Sequence, residues 1–253
     1  MKFSVIIPSF NQDKFIGSTL ENVTRLKKDA SKKGLIVEII LIDNESNAEV
    51  QKIIAHYRNE IDHVDISKDL GQYDAINKGL NICTGDYWTW LNTDDLIISE
   101  GFFRIAEQIQ RDPEIDYIYG GIQYMDAEGK TLMDVNARIF TLDSLVNIDP
   151  GIFQPGSFFK TSFTRKIGLL KAYRCCFDYE YILRCLKNSA KLFVCDFPVS
   201  RFRYYSDSKT GSLIPVFIKE QLLISEDYGR KPLSKLTWFS KLRLLKHRLF
   251  PRR

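Results

Sequence analysis

Short apolar runs alternate with longer amphipathic stretches through the first ninety-five residues. Phe3–Pro8 (FSVIIP) has the length and β-branched content of a buried strand. From residue 14 to 33, Phe15, Ile16, Leu20, Val23 and Leu26 recur at helical spacing and predict a helix. Val37–Ile42 predicts a second strand and 48–57 a second helix. A short strand near 62–66, a helix over 72–83 and a strand over 87–91 follow.

Strands alternating with helices predict an α/β fold with a mostly parallel central sheet covered on both faces. In such sheets ligands bind outside the carboxyl ends of the strands. Pro8-Ser9, Asp43 and Asp94-Asp95 each follow a predicted strand, so three polar clusters should meet at one crevice. The second half is less regular. Strands are expected at 117–123 and 131–135 around the turn 126–129, and a short helix at 143–147. The run 152–159 (IFQPGSFF) reads as strand or loop, 177–187 as a helix and 193–196 as a short strand. Residues 216–250 look helical, broken by Gly229 to Pro232, which suggests a main domain over 1–215 and a helical extension over 216–253.

Charge sharpens that division. From Arg230 onward there are nine Lys and Arg and no acidic residue. Subtracting those nine from the net charge of +4 leaves −5 for residues 1–229, a body with no nucleic-acid-binding character. In the last stretch Trp238, Phe239, Leu242, Leu245 and Leu249 stand among basic residues, an amphipathic basic helix. Contact with an anionic membrane or packing against the body are both open for it. The five cysteines include no CxxC pair and fit reduced, buried thiols. No signal peptide or spanning run is legible, so a cytoplasmic protein is expected, peripheral at the inner face of the cell membrane if the tail meets lipid.

The carboxylates supply the candidate chemistry. Asp94 and Asp95 are oxygen donors of the kind that Mg²⁺ and Mn²⁺ take, or else caps for the next helix. Asp43 can accept hydrogen bonds from a base or a ribose, or simply hold its turn. A glycine-rich loop after the first strand is missing, as is GxGxxG, which counts against nucleotidyltransferases and dinucleotide-dependent dehydrogenases.

Together the runs SVIIPSFN (4–11), EIILIDNES (38–46), LGQYDAINKGLNICTGDYWTWLNTDD (70–95), FQPGSFF (153–159) and FDYEYILRC (177–185) resemble the family-2 inverting glycosyltransferases, across roughly residues 3–210. That resemblance implies a GT-A fold, a nucleotide-binding α/β sandwich, and metal-dependent transfer of a sugar from a nucleoside diphosphate sugar, UDP favoured. It implies that Pro8, Ser9 and Asn11 line the nucleotide pocket, with Phe10 against the base and Asp43 binding the base. Gly71, Asp74 and Asn77 would lie near the nucleoside or diphosphate, although Gly71 also reads as a helix-start glycine and Asn77 as a core hydrogen bonder. Asp94 would contact the ribose and the metal, and Asp95 would coordinate the Mn²⁺ or Mg²⁺ directly. Gln154 and Pro155 would border the acceptor or donor sugar, or form an ordinary Pro-Gly turn.

Asp178 matches the family's catalytic base. Glu180 competes, but on a helix the two point about 200° apart. Two departures stand out. Asn92 occupies the first position of the D-x-D pattern, and Tyr205 stands where many relatives carry a histidine, leaving Arg203 and Lys209 as candidates to balance diphosphate charge. The QxxRW pattern of processive synthases is absent, which implies one sugar per binding event. The acceptor suggested by the resemblance is a lipid-linked glycan in bacterial surface-polysaccharide assembly. A non-catalytic sugar-nucleotide-binding or scaffold protein is the second reading, and Tyr205 is its support.

Overall fold

Strand β1 (Lys2–Ser9) is buried from Phe3 onward because both of its neighbours are strands and both of its faces carry helices. The computed structural model describes residues 1–152, 154–205 and 213–249. Phe153, residues 206–210 of the segment compared with the family pattern (Lys209 among them), Phe250, Arg252 and Arg253 lie outside the described residues.

The first half follows the predicted alternation. β1, α1 (Asp13–Lys32), β2 (Ile36–Asp43), α2 (Ala48–His56), β3 (His63–Ile66), α3 (Gln72–Ile82) and β4 (Tyr87–Trp90) form in order. The strands lie in the order β3-β2-β1-β4, all parallel. A two-residue strand β5 (Leu96–Ile97) and α4 (Ser99–Arg111) come next. β6 (Tyr117–Met125) and β7 (Thr131–Val135) form a hairpin, and β8 (Ser157–Lys160) runs antiparallel to both β4 and β6, joining the two halves. The sheet is mostly parallel in its longest pairings, since β9 (Leu192–Arg203) also runs parallel to β6.

One expectation changes and two open readings narrow. Residues 193–196 belong to a twelve-residue strand that continues through Pro198. Proline survives there because the register with β6 shifts opposite it, between Tyr119 and Ile122. The 152–159 run is not one strand. Gln154–Gly156 form a 3-10 turn before β8. Asp94 and Asp95 do not cap a helix, because β5 intervenes and the N-cap of α4 is Ile98.

The alternation of side chains along β4 divides the packing. Tyr87 joins the aliphatic cluster with Phe3, Phe102 and Phe158, while Trp88 and Trp90 stack with Phe159 on the other face. α4 sits directly on β9: a Cβ at Gly101 would fall 2.3 Å from the Pro198 carbonyl oxygen. Beneath the sheet's amino end, Glu38 accepts hydrogen bonds from Lys2 Nζ, Ser4 Oγ, and the Thr84 N–H and hydroxyl. Burial opposes its charged form, but those donors outweigh it and hold the carboxyl down to about 2 from an ordinary 4.5. Its stabilising share is therefore present above pH 4.5 and lost as pH falls toward 2. Glu38→Gln is expected to lower stability by about 2–3 kcal/mol at neutral pH, with the gap to wild type closing between those two values. Thermal melts of both proteins across that range check this, and a gap that stays constant would refute it.

The chain divides into two compact units. All strands, with α1–α4 and α6 (Thr161–Ile167), lie in the first, which comprises 1–138, 153–169 and 190–204. The second gathers 139–152, 170–189 and 205–253. Its helices are α5 (Leu142–Asn147), α7 (Phe177–Lys187), α8 (Ile214–Asp227) and α9 (Lys235–Leu249). No helix among the described residues is long and apolar enough to cross a membrane.

Candidate functional site

Parallel register brings the strand-end clusters of the first unit side by side. Ser9 pairs with Asp43, Asp43 with Ile66, and Ile6 with Trp90, so the loops after β1, β2, β3 and β4 all leave the same edge. After β1, Pro8 and Ser9 are buried, Phe10 is 57% exposed and Asn11 takes a left-handed φ of +50°. Asparagine tolerates that conformation through local hydrogen bonds. Here its N–H donates to Ser46 Oγ and its Oδ1 accepts from the Asn47 N–H, each at 2.9 Å. Ser9 Oγ is buried with no hydrogen-bond partner among the described residues. An orphaned hydroxyl at a strand end leaves an unmet bond that a polar ligand would satisfy.

Asp43 is fully enclosed. Its carboxylate accepts the Ser46 N–H (2.8 Å), the Ser46 hydroxyl (2.6 Å) and Gln51 Nε2 (2.6 Å). The turn-holding role is thus realised, with three donors on a carboxylate that can accept about four. Gly71 starts α3 at a φ of +123°, which favours glycine, and Asp69 Oδ1 accepts its N–H. Asp74 Oδ2 accepts the Leu70 N–H at 3.1 Å, and Asn77 is half-buried one turn further along α3.

The loop after β4 is the most heavily braced. Gln72 Nε2 donates to Asn92 Oδ1 (2.6 Å), and Asn92 Nδ2 donates to Asp95 Oδ2 (2.9 Å). The Arg203 N–H donates to Asp95 Oδ1 (3.1 Å). Thr19 and Asn22, polar residues on the buried face of α1, bond the backbone carbonyls of Thr93, Asp95 and Ile97. Asp95 is left 1% exposed while Asp94 keeps part of its surface open. Burial, and then the neighbouring Asp94 carboxylate, push the Asp95 pKa well above the ordinary carboxylate range, against the hydrogen bonds from Arg203 and Asn92.

Asp95, expected to coordinate a metal directly, spends an acceptor position on each oxygen to hold the loop and keeps a second on each, while Asp94 is the more exposed residue of the two. Arg203, a candidate for balancing diphosphate charge, is committed instead. Its Nε donates to the Asp94 carbonyl, its Nη1 to the carbonyls of Asp126 and Ala127, and its guanidinium lies 4.5 Å from the Phe15 ring centre. Adjacent repelling carboxylates fit a hard divalent cation, which would relieve them, and the donor set is oxygen. Among the described residues no group of three or more His, Cys, Asp or Glu could hold a metal. Gln154 and Pro155 are buried, with Gln154 Nε2 donating to the Trp90 carbonyl at 2.8 Å, which ties the 3-10 turn to the end of β4.

Asp178 lies in the second unit, in the first turn of α7. Burial pushes its pKa up to about 6 even though it accepts the N–H of Tyr179 at 2.7 Å, and the charge of Glu220 adds to the rise. Glu220 of α8 accepts the N–H groups of Arg174, Cys175 and Cys176 at 2.8, 2.8 and 2.9 Å, fixing the segment that leads into Asp178. Glu180 is fully buried between Lys171, Arg184 and the Tyr228 hydroxyl. Those three partners give Glu180 a structural task. Thr19 could have been noticed as a polar residue on an apolar helix face, as could Asn92 beside the acidic pair. Nothing local marks Glu220, or the loop-bracing role of Arg203, since their partners lie tens of residues away.

The family model described as glycosyl transferase family 2 matches residues 4–177. A PGL/p-HBAD biosynthesis glycosyltransferase of Mycobacterium bovis is 26% identical over 196 residues, covering 74% of this chain and 71% of the relative. An uncharacterized glycosyltransferase of Methanocaldococcus jannaschii is 21% identical over 74% of this chain, a stretch that spans 66% of that relative's length. Among solved structures, Staphylococcus aureus TarS 1-349 in complex with UDP-GlcNAc superposes with a TM-score of 0.73 at 18% identity, over 100% of this chain and 76% of that one. The mannosyltransferase PcManGT of Pyrobaculum calidifontis, in complex with GDP-Man and Mn²⁺, gives 0.61 at 12% identity over 99% of this chain and 76% of that one. At these identities the structural likenesses establish the fold, which is that of GT-A enzymes.

Proposed function

The chain belongs to glycosyl transferase family 2, and from that premise we propose that it moves one sugar from a nucleoside diphosphate sugar to an acceptor hydroxyl, with inversion. The observation that carries this reading is the braced acidic pair at the carboxyl end of β4, one residue buried and its neighbour half-buried. UDP is the favoured nucleotide, because TarS was seen with UDP-GlcNAc and UDP. The acceptor is proposed to be a lipid-linked glycan at the inner face of the cell membrane.

In this reading Ser9 and Asn11 grip the nucleoside, Phe10 offers its exposed ring to the base, and Asp43 holds their loop through Ser46. Gly71, Asp74 and Asn77 border the nucleoside and diphosphate. Gln154 and Pro155 wall the sugar. Asp94 would hold a Mg²⁺ or Mn²⁺ ion, whose chemistry is to neutralise the charge of the departing diphosphate. Asp95 holds the loop that presents Asp94. Asp178 takes the proton of the acceptor hydroxyl as that oxygen attacks the anomeric carbon. The carbon–oxygen bond to the diphosphate breaks, and its electron pair leaves with the nucleoside diphosphate. A base with a pKa of about 6 is mostly ionised at neutral pH yet still basic enough to act.

A screen of nucleoside diphosphate sugars by thermal shift, with Mn²⁺ or with a chelator, tests the donor half of the proposal. A donor at a hundredfold excess over its Kd should stabilise the protein by about 2.7 kcal/mol when the ion is present and far less without it. Equal stabilisation in the chelator would count against a cation at Asp94, and no response to any donor would sink the reading.

A further inference from the structure

The C-terminal helix α9 buries one face and carries large apolar side chains on the opposite one. At 100° per residue, Leu236, Thr237 and Ser240 share one side, and these are buried in the second unit, where α9 packs on α8 and α5. The start of α9 is anchored there too: the Lys231 N–H donates to Asn147 Oδ1 at 2.8 Å, and the Ser234 and Thr237 hydroxyls bond at 2.9 Å. Trp238, Leu242, Leu245 and Leu249 lie at intervals of four, three and four residues, a single stripe on the opposite side. All four are exposed, from 43% at Leu242 to 63% at Leu249, and Phe239 and Leu233 beside them are exposed as well. Lys241 and Arg248 flank the stripe on one side, Lys235 and Lys246 on the other. No acidic residue occurs from Tyr228 to the end of the chain.

We propose that this outer face of α9 docks the protein on an anionic lipid surface, with Trp238, Leu242, Leu245 and Leu249 entering the interface and the flanking Lys and Arg reaching the headgroups. An apolar stripe edged by cations matches such a surface in both its terms, area and charge. A second copy of the chain fits worse, since pairing two such faces would set like charges against each other. The inner face, already packed, leaves docking no need to unfold α9. The inference deepens the proposed lipid-linked acceptor, by stating how the chain would be held where such an acceptor lies.

Co-sedimentation of the full chain with vesicles tests it, using phosphatidylcholine alone and phosphatidylcholine with about one third phosphatidylglycerol. Binding should be at least about tenfold stronger to the anionic vesicles and should weaken with added salt. Trp88 and Trp90 are buried, so a blue shift of tryptophan emission on those vesicles reports Trp238. The double variant Leu242→Glu/Leu245→Glu changes only exposed positions, so its melting temperature should match wild type while vesicle binding falls about tenfold or more. Equal binding to both vesicles, binding to neither, or undiminished binding by the double variant would overturn the proposal. A concentration-dependent dimer that the double variant dissolves, without vesicle binding, would overturn it too and make the stripe an interface between copies. Neither donor nor turnover enters this assay, so its failure leaves the nucleotide-site reading intact.

Discussion

Asp178→Asn is expected to abolish sugar transfer and, at neutral pH, to stabilise the fold. Removing a general base costs about 10²–10⁴-fold in rate, and the donor-induced shift in melting temperature should persist because the amide takes no part in gripping the nucleotide. The stability effect follows from the raised pKa. A carboxyl held at about 6 when folded and 3.8 when unfolded contributes its stabilising share below pH 3.8 and loses it as pH rises through 6. Above that, the charged form is a burden on the native state of about 1–3 kcal/mol, which asparagine removes while still accepting the Tyr179 N–H. The gain should vanish in melts below pH 4. The same pKa predicts that transfer by the wild type rises with pH through about 6 and levels off above it. Glu180→Gln should behave oppositely, losing about 3–5 kcal/mol because the buried carboxylate that pairs with Arg184 and Lys171 is neutralised. A dead Glu180→Gln of unchanged stability beside an active Asp178→Asn would reverse the two roles.

The second large effect separates the acidic pair. Asp94→Asn should remove the ion dependence of donor stabilisation and lower transfer on the order of a hundredfold or more, because the leaving diphosphate then lacks its counter-charge. Asp95→Asn should keep the ion dependence in weakened form. Its damage is to the loop: the new amide would face Asn92 Nδ2, donor against donor. Asn92 is not at liberty to flip, since its Oδ1 already accepts from Gln72. Titrating Mn²⁺ into each variant with donor present reads the difference. If Asp95→Asn loses the ion and Asp94→Asn retains it, Asp95 is the ligand and the buried bracing described here is rearranged when the donor binds.

Why one carboxylate of that pair could be recognised and not assigned is a matter of range. That Asp94 and Asp95 follow an apolar strand, and that Ser9 and Asp43 do likewise, is written in local periodicity. A parallel sheet then obliges all of them to one edge. The five ordered motifs brought the family with them, and α1, α7 and the first four strands form close to where the pattern of apolar positions puts them. Pairing over long range was invisible to that pattern. β9 runs past Pro198 only because its neighbour shifts register there, and β5 exists only because β9 lies alongside to pair with Leu96 and Ile97.

The amino-acid sequence by itself therefore determined the fold class, the edge at which the chemistry gathers and the residue types gathered there, since each depends on short-range periodicity and strand direction. Tertiary structure decided which acid is buried and which half-buried, because Arg203 and Gln72 reach the Asp94–Asp95 loop from distant parts of the chain. It also decided that Glu180 is spent on Lys171, Arg184 and Tyr228, and that the large apolar side chains of α9 stand on its outer face. Burial and hydrogen-bond partnership are properties of what surrounds a side chain, and the chain's order does not state what will surround it.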